Sequence, residues 1–246
     1  MKQNLSPVFA SLTLAVALSA SAATYPGNGN GGFGGPVGLG SLILTDDGTT
    51  VSGTFNKGPN GMNDVLVLYI DSVAGGFADT SGFADGADGL RKAISGFDGG
   101  GNRSLLTFAS GFSPDYAIAL GPSSDNFGGL WGLANGGANS LNFINSVNLA
   151  PTGNSGSPTY TFSFSLANVG LTPGAGQSFE LFGTYTSNSG YRSDEALPGN
   201  DVGSQGWNPF LQTAFVTYNT LAVPEPSTFA LAGLGIAALL CARRRQ

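Results

Sequence analysis

The chain has 246 residues, with 40 glycines, 17 phenylalanines, one cysteine, no histidine and a formal net charge of −6. The missing histidine excludes Ser-His-Asp and Cys-His catalysis and histidine-ligated zinc, copper or haem. The single cysteine excludes a disulfide within the chain, and the acidic balance disfavours nucleic acid.

The first residues, MKQNLSPVFASLTLAVALSASAA, carry Lys2, an apolar stretch from Val8 to Leu18 and small residues at Ala20 and Ala22. This pattern predicts a secretory signal peptide over residues 1–23, read by the Sec export machinery and cut after Ala22 or Ala23. Its apolar core is too short to span a bilayer. At the far end lies another apolar run, so both ends are set aside from fold reasoning. The remaining body holds fourteen acidic residues against five basic ones (Lys57, Arg91, Lys92, Arg103 and Arg192), a net charge of −9.

Residues 24–40, TYPGNGNGGFGGPVGLG, are expected to form a Gly-rich flexible or loosely docked arm. A β-sandwich domain is expected over residues 41–221. Leu39 to Thr45 reads as its first strand, with a turn at Asp46-Asp47-Gly48 and a hairpin partner from Thr49 to Phe55. Asp64 to Asp71 is the strongest strand. Val65, Val67 and Tyr69 point one way and Leu66, Leu68 and Ile70 the other, so both faces are apolar and the strand is central. Gly89 to Ser95 reads as the one short helix, with Leu90 and Ile94 on its buried face. Further strands are expected at 104–109, 115–120, 129–134, 140–149, 159–166, 178–186 and 212–220. About ten short strands with regular turn signals favour an all-β, jelly-roll-like sandwich.

The Gly-rich loop after the central strand gathers Asp71, Asp79, Asp85, Asp88 and Asp98. Oxygen ligands at flexible spacing suit calcium, with Asp85 and Asp88 as candidates; the alternative is turn-forming aspartates in solvent. Trp207, in the polar segment GSQGWNPF, is the exposed aromatic suited to stacking on a sugar ring, while Trp131 lies in an apolar stretch and reads as core. No paired carboxylates mark a glycosidase, and Asp194 and Glu195 are sequence neighbours. No Gly-rich turn sits between a strand and a helix to cradle phosphate.

The order NDVLVLYIDSVAGG, LLTFASGF, DYAIALG and TYTFSFSLANVGL resembles the DOMON-like and family 9 carbohydrate-binding β-sandwiches over some 110 residues. Without histidine, the haem ligation of cytochrome-type members is unsupported. The resemblance therefore implies a sugar-binding or structural member.

The last segment has three parts. Pro224-Glu225-Pro226 fixes φ twice and removes two backbone donors, giving an extended strip. Phe229 to Ala242 is uncharged and, at 1.5 Å per residue, covers about 21 Å against a hydrocarbon core of ~30 Å. Arg243, Arg244 and Arg245 follow, and they keep this end cytoplasmic. This order resembles the PEP-CTERM sorting signal of Gram-negative bacteria, over residues 222–246. The resemblance implies a transient inner-membrane anchor and processing by exosortase. The expected protein is therefore an exported, cell-surface or extracellular component, non-enzymatic and associated with exopolysaccharide. The alternative is a secreted carbohydrate-active enzyme working with acidic residues alone.

Overall fold

The computed structural model describes residues 22–133, 141–199 and 201–223, together with Gly233, Gly235, Ile236 and Arg243 of the tail. Three strands come first among the described residues: β1 (Ala22–Pro26), β2 (Ser41–Asp46) and β3 (Thr50–Asn56). After β4 (Val65–Asp71) come the helix α1 (Gly89–Ser95) and the two-residue strand β5 (Leu106–Thr107). A meander follows, made of β6 (Tyr116–Gly121), β7 (Phe127–Gly132) and β8 (Asn142–Ser146). The remaining strands are β9 (Thr159–Ser165), β10 (Ser178–Thr186), β11 (Arg192–Leu197), β12 (Asp201–Val202), β13 (Phe210–Gln212) and β14 (Val216–Asn219).

These strands form an all-β sandwich. One sheet has the order β1-β2-β3-β9; the other runs β11-β10-β4-β6-β7-β8, with β14 also paired to β10. All neighbours in both are antiparallel. A small third sheet, β12-β13-β5, contains a parallel pair between β13 and β5.

The central strand shows why there are two cores. In β4, Leu66, Leu68 and Ile70 face the four-stranded sheet, where they join Leu42, Leu44, Val51, Phe55 and the β9 aromatics. Val65, Val67 and Tyr69 face the opposite way, under α1 and the third sheet, with Leu90, Ile94, Leu106 and Phe210. Period-two alternation with apolar residues at every position demands cover on both sides. Strand β9 alternates once only: Tyr160, Phe162 and Phe164 are buried, and the intervening polar residues face outward.

Helix α1 keeps the bounds expected from sequence. The Asp88 side chain accepts from the Arg91 N–H at the N-cap, and Gly96 closes the helix at φ 64° in the left-handed region. The strand expected at 212–220 divides into β13 and β14, and the one expected at 104–109 shrinks to β5.

Residues 24–40, expected from their glycine content to be a flexible arm, are instead an ordered part of the sandwich. β1 pairs with β2 from Ala22↔Thr45 to Pro26↔Ser41. Val37 is fully buried and Phe33 packs against the main core. The reason is a buried acid from far along the chain. Glu195 on β11 is 0% exposed. Its Oε1 accepts the N–H groups of Phe33 at 2.7 Å and Gly35 at 3.2 Å. Its Oε2 accepts those of Val37 at 2.9 Å and Gly38 at 3.0 Å. The Ser193 hydroxyl adds a fifth hydrogen bond, at 3.3 Å. Successive backbone N–H groups curled around one anion form a nest, and the glycines permit that curl.

Candidate functional site

The tail is gripped by the body up to the residue before its Pro-Glu-Pro strip. Asp46, at the end of β2, is 4% exposed. Its Oδ1 accepts the Gly48 N–H at 2.8 Å and the Leu221 N–H at 2.9 Å. Its Oδ2 accepts the Tyr218 hydroxyl at 2.7 Å. Burial, reinforced by the neighbouring Asp46 carboxylate, pushes the Tyr218 hydroxyl well above the usual phenol range. Ala222 bridges to Ala175, and the Val223 N–H donates to the Gly174 carbonyl at 2.9 Å. Gly48 adopts φ +83°, and a Cβ there would lie 2.3 Å from Val223 Cγ2. Glycine is thus required at the β2–β3 turn both by its backbone angle and by the strap packed over it.

Replacing Asp46 by alanine removes the acceptor of the Gly48 and Leu221 N–H groups and of the hydrogen bond from the Tyr218 hydroxyl. The expected cost is about 3 kcal/mol, or roughly 6–12 °C in melting midpoint for a body of this size. Asp46→Asn keeps an oxygen for both N–H groups, and the Tyr218 hydroxyl can turn to accept, so its expected cost is below about 1 kcal/mol. Thermal denaturation of the tail-free body distinguishes the two.

The Asp-rich loop resolves into separate turns. Asp85 accepts the N–H groups of Ala87 and Leu141 and lies 3.4 Å from Arg91 Nε. Asp88 caps α1 and pairs with Arg91 Nη1 at 3.0 Å. Asp79 caps a 3-10 turn at Thr80–Gly82. Asp98 accepts the N–H groups of Gly100, Gly101 and Asn102, led by Gly100, which hold its pKa down at about 2. Among the described residues no group of three or more acids converges to hold a metal ion. Asp79, Asp88 and Asp98 serve their own turns, Asp85 also accepts from Leu141, and Asp71 accepts the Ser113 N–H at 2.6 Å.

A second feature escaped sequence reasoning. On the outer edge of the large sheet, Phe127 and Phe143 are 37% and 45% exposed, with ring centroids 6.2 Å apart. Phe143 stands edge-on to Trp131 at 5.6 Å. Together with Asp88, Leu90, Arg91 and Asp125 they line an open cavity of about 320 Å³. The alternation of 140–149 runs through Leu141 and Phe143 and resumes at Val147 after an irregular step. Phe143 lies opposite Trp131 on the α1 side with Leu141, while the register shift between Leu130 and Trp131 carries Val147 to the other core; Leu141 and Val147 are buried and Phe143 is exposed.

Trp131 is 3% exposed, in the core as expected. Trp207 is half-buried and stands edge-on to Tyr191 at 5.6 Å. Tyr191 stacks on Phe33 at 6.0 Å, and Phe33 in turn packs edge-on to Tyr185. Trp207 is thus the outer rung of an aromatic ladder that leans on the docked arm.

Of the sites expected at the two ends, Ala22 and Ala23 are the first residues of β1, Ala22 exposed and Ala23 half-buried. Ala20 and the rest of the expected signal peptide lie outside the described residues, as do Pro224, Glu225, Pro226, Arg244 and Arg245. Gly233, Gly235, Ile236 and Arg243 are helical and exposed. Among the described residues no helix is long and apolar enough to cross a membrane, and most of the run expected to do so falls outside them.

Residues 222–245 match the family model of the PEP-CTERM protein-sorting motif. No curated protein and no solved structure matches the chain, so the comparisons lend no support to the DOMON-like resemblance. The chain carries a PEP-CTERM sorting signal, which marks an exported envelope or surface protein of a Gram-negative bacterium and a substrate of exosortase.

Proposed function

We propose that this protein is a non-enzymatic exported component that associates with exopolysaccharide once exosortase has removed its tail. Its route begins with the N-terminal signal peptide and the Sec machinery, and it passes through a transient inner-membrane anchorage. The single observation that carries the reading is the sorting motif at residues 222–245. A tail whose apolar run covers about 21 Å suits temporary anchorage better than permanent residence. A body with fourteen acidic and five basic residues stays soluble after release.

Contact with sugar is assigned to the edge cavity, with Trp207 as a second contact. Phe127 and Phe143 offer apolar faces to the C–H face of a pyranose ring. Asp88, Asp125 and Arg91 on the rim supply acceptors and donors for its hydroxyls. The carboxylates favour neutral sugars over uronic acids.

Two measurements test this reading. Intact-mass analysis of the protein from its native cells reads both cuts and any attached sugar together. Affinity electrophoresis of the tail-free body through gels containing the cell's own exopolysaccharide reads binding. Phe127→Ala with Phe143→Ala should reduce retardation about tenfold or more, as two stacking contacts at ~1 kcal/mol each imply. Trp207→Ala should weaken it less. Retardation unaltered by all three substitutions would remove sugar contact from both places.

A further inference from the structure

Both ends of the body leave the sandwich at one pole. Ala22, the first residue of β1, pairs with Thr45. The next residue, Asp46, holds Leu221, and the turn beyond it packs on Val223. The same pole carries the loop Leu171 to Gln177, whose Gly174 N–H donates to the Gly48 carbonyl. The opposite pole carries the 151–158 loop, where the Lys57 N–H donates to the Pro158 carbonyl. Strands β3, β4 and β9 have seven residues each. At about 3.3 Å per residue the two poles are some 23 Å apart.

Little chain separates this pole from the expected apolar run of the tail. Five residues, Pro224 to Thr228, lie between the clasp and Phe229. Fully extended, these reach about 17 Å. The tail's apolar run is shorter than the hydrocarbon core, so the bilayer draws its flanks inward and shortens the tether further.

We infer that the pole formed by the Asp46–Thr49 turn and the Leu171–Gln177 loop faces the phospholipid surface for as long as the tail is inserted. It is held there by the clasped, short tether. The inference rests on the reading of the tail as a transient membrane anchor. The pole is not drawn to lipid by its own charge. Its acids are Asp46 and Asp47 on the turn and Asp71, Asp115 and Glu180 close by, and none of the body's five basic residues lies on these loops. Asp71 and Glu180 sit opposite each other across β4 and β10. Burial raises the carboxyls of Asp71, Asp115 and Glu180, and mutual repulsion adds to the shift of the last two. An acidic pole pressed against anionic headgroups by a tether leaves the surface once the tether is cut.

The test uses the full chain with its tail, reconstituted into vesicles of neutral and anionic phospholipid that carry a spin label on the headgroup. Cys241→Ser removes the native thiol. A fluorophore is then placed at Thr172→Cys on the inferred pole or at Thr152→Cys on the opposite one, both exposed positions. The Thr172 label should be quenched several-fold more than the Thr152 label. A Gly/Ser spacer of roughly 20 residues between Val223 and Pro224, with a mean reach of about 25 Å, should abolish the difference. Equal quenching at both positions, or a difference that survives the spacer, overturns the inference while the chain still floats with the vesicles. Failure to float overturns it together with the anchor reading.

Discussion

Replacing Pro224, Glu225 and Pro226 by alanine is expected to abolish release of the processed body and to leave the full-length chain in the inner membrane. Two prolines fix the backbone in an extended form and remove two N–H groups, which keeps the helix that follows from propagating back towards the body. Three alanines do the reverse, since alanine has the highest helix propensity. On the proposed reading, the strip offered to exosortase as extended chain is then expected to join the helix of the anchor. The glutamate is lost as well, and with it the one charge between the clasp and Phe229. The measurement is fractionation followed by intact mass. The expected result is a species lacking the signal peptide and retaining Arg243, Arg244 and Arg245. Release of a body cut at the usual place would refute the sorting reading. The result does not depend on the orientation of the body, because the alanine chain leaves the Asp46 clasp untouched.

The second large effect is expected at Glu195. Truncation to alanine strands four backbone N–H groups, three of them buried and that of Phe33 half-buried. The expected loss is about 4 kcal/mol, a large share of the 5–15 kcal/mol that a domain of this size has in total. For a body of this length that corresponds to roughly 8–16 °C in melting midpoint. Glu195→Gln has nearly the same shape but turns an NH2 group towards donors, so it is expected to recover little. The loss should appear first in the arm. Hydrogen exchange at Phe33, Gly35, Val37 and Gly38 is expected to rise before exchange in β4 does, because the arm opens without the central strand. If Glu195→Ala melts within 2 °C of the parent, Glu195 is not what holds the arm. Release of the arm also removes Phe33 from beneath Tyr191, so the environment of Trp207 and its emission should change in the same variant.

Much of the sandwich is legible in the residues themselves. β2, β3, β4, β9, β10 and α1 each show their period over six or more positions, and turn residues delimit them. The misses share a cause. β11 reads Arg-Ser-Asp-Glu-Ala-Leu, a composition that belongs on a surface. Arg192 is nevertheless fully buried, 5.8 Å over the Phe210 ring, and Glu195 is fully buried in the arm. Glu195 is buried because N–H groups some 160 residues away satisfy it, and Arg192 because it lies over Phe210 and donates to Thr184 at 3.2 Å, pairings that only the closed fold makes. β1 is concealed in a similar way. Its residues continue the small-residue end of the expected signal peptide, and only the edge of β2 makes a strand of them.

The sorting motif at residues 222–245 and the signal peptide expected over residues 1–23 are properties of sequence alone. They depend on composition and order within some 20 residues, and machinery reads them before or apart from folding. The all-β character is also local, because alternation and turn chemistry act over a few positions. Three things belong to the tertiary structure. The Gly-rich arm is fixed because Glu195, 158 residues beyond Val37, supplies the anion that its N–H groups surround. The edge cavity exists because the pairing of β7 and β8 sets Phe143 opposite Trp131 and beside Phe127, on the face that carries α1. The two ends meet at one pole because Asp46 holds Leu221, 175 residues further on. Hydrogen-bond acceptors and strand registers are matched across such separations only when the chain closes on itself, and no local pattern records which partner a buried carboxylate will find.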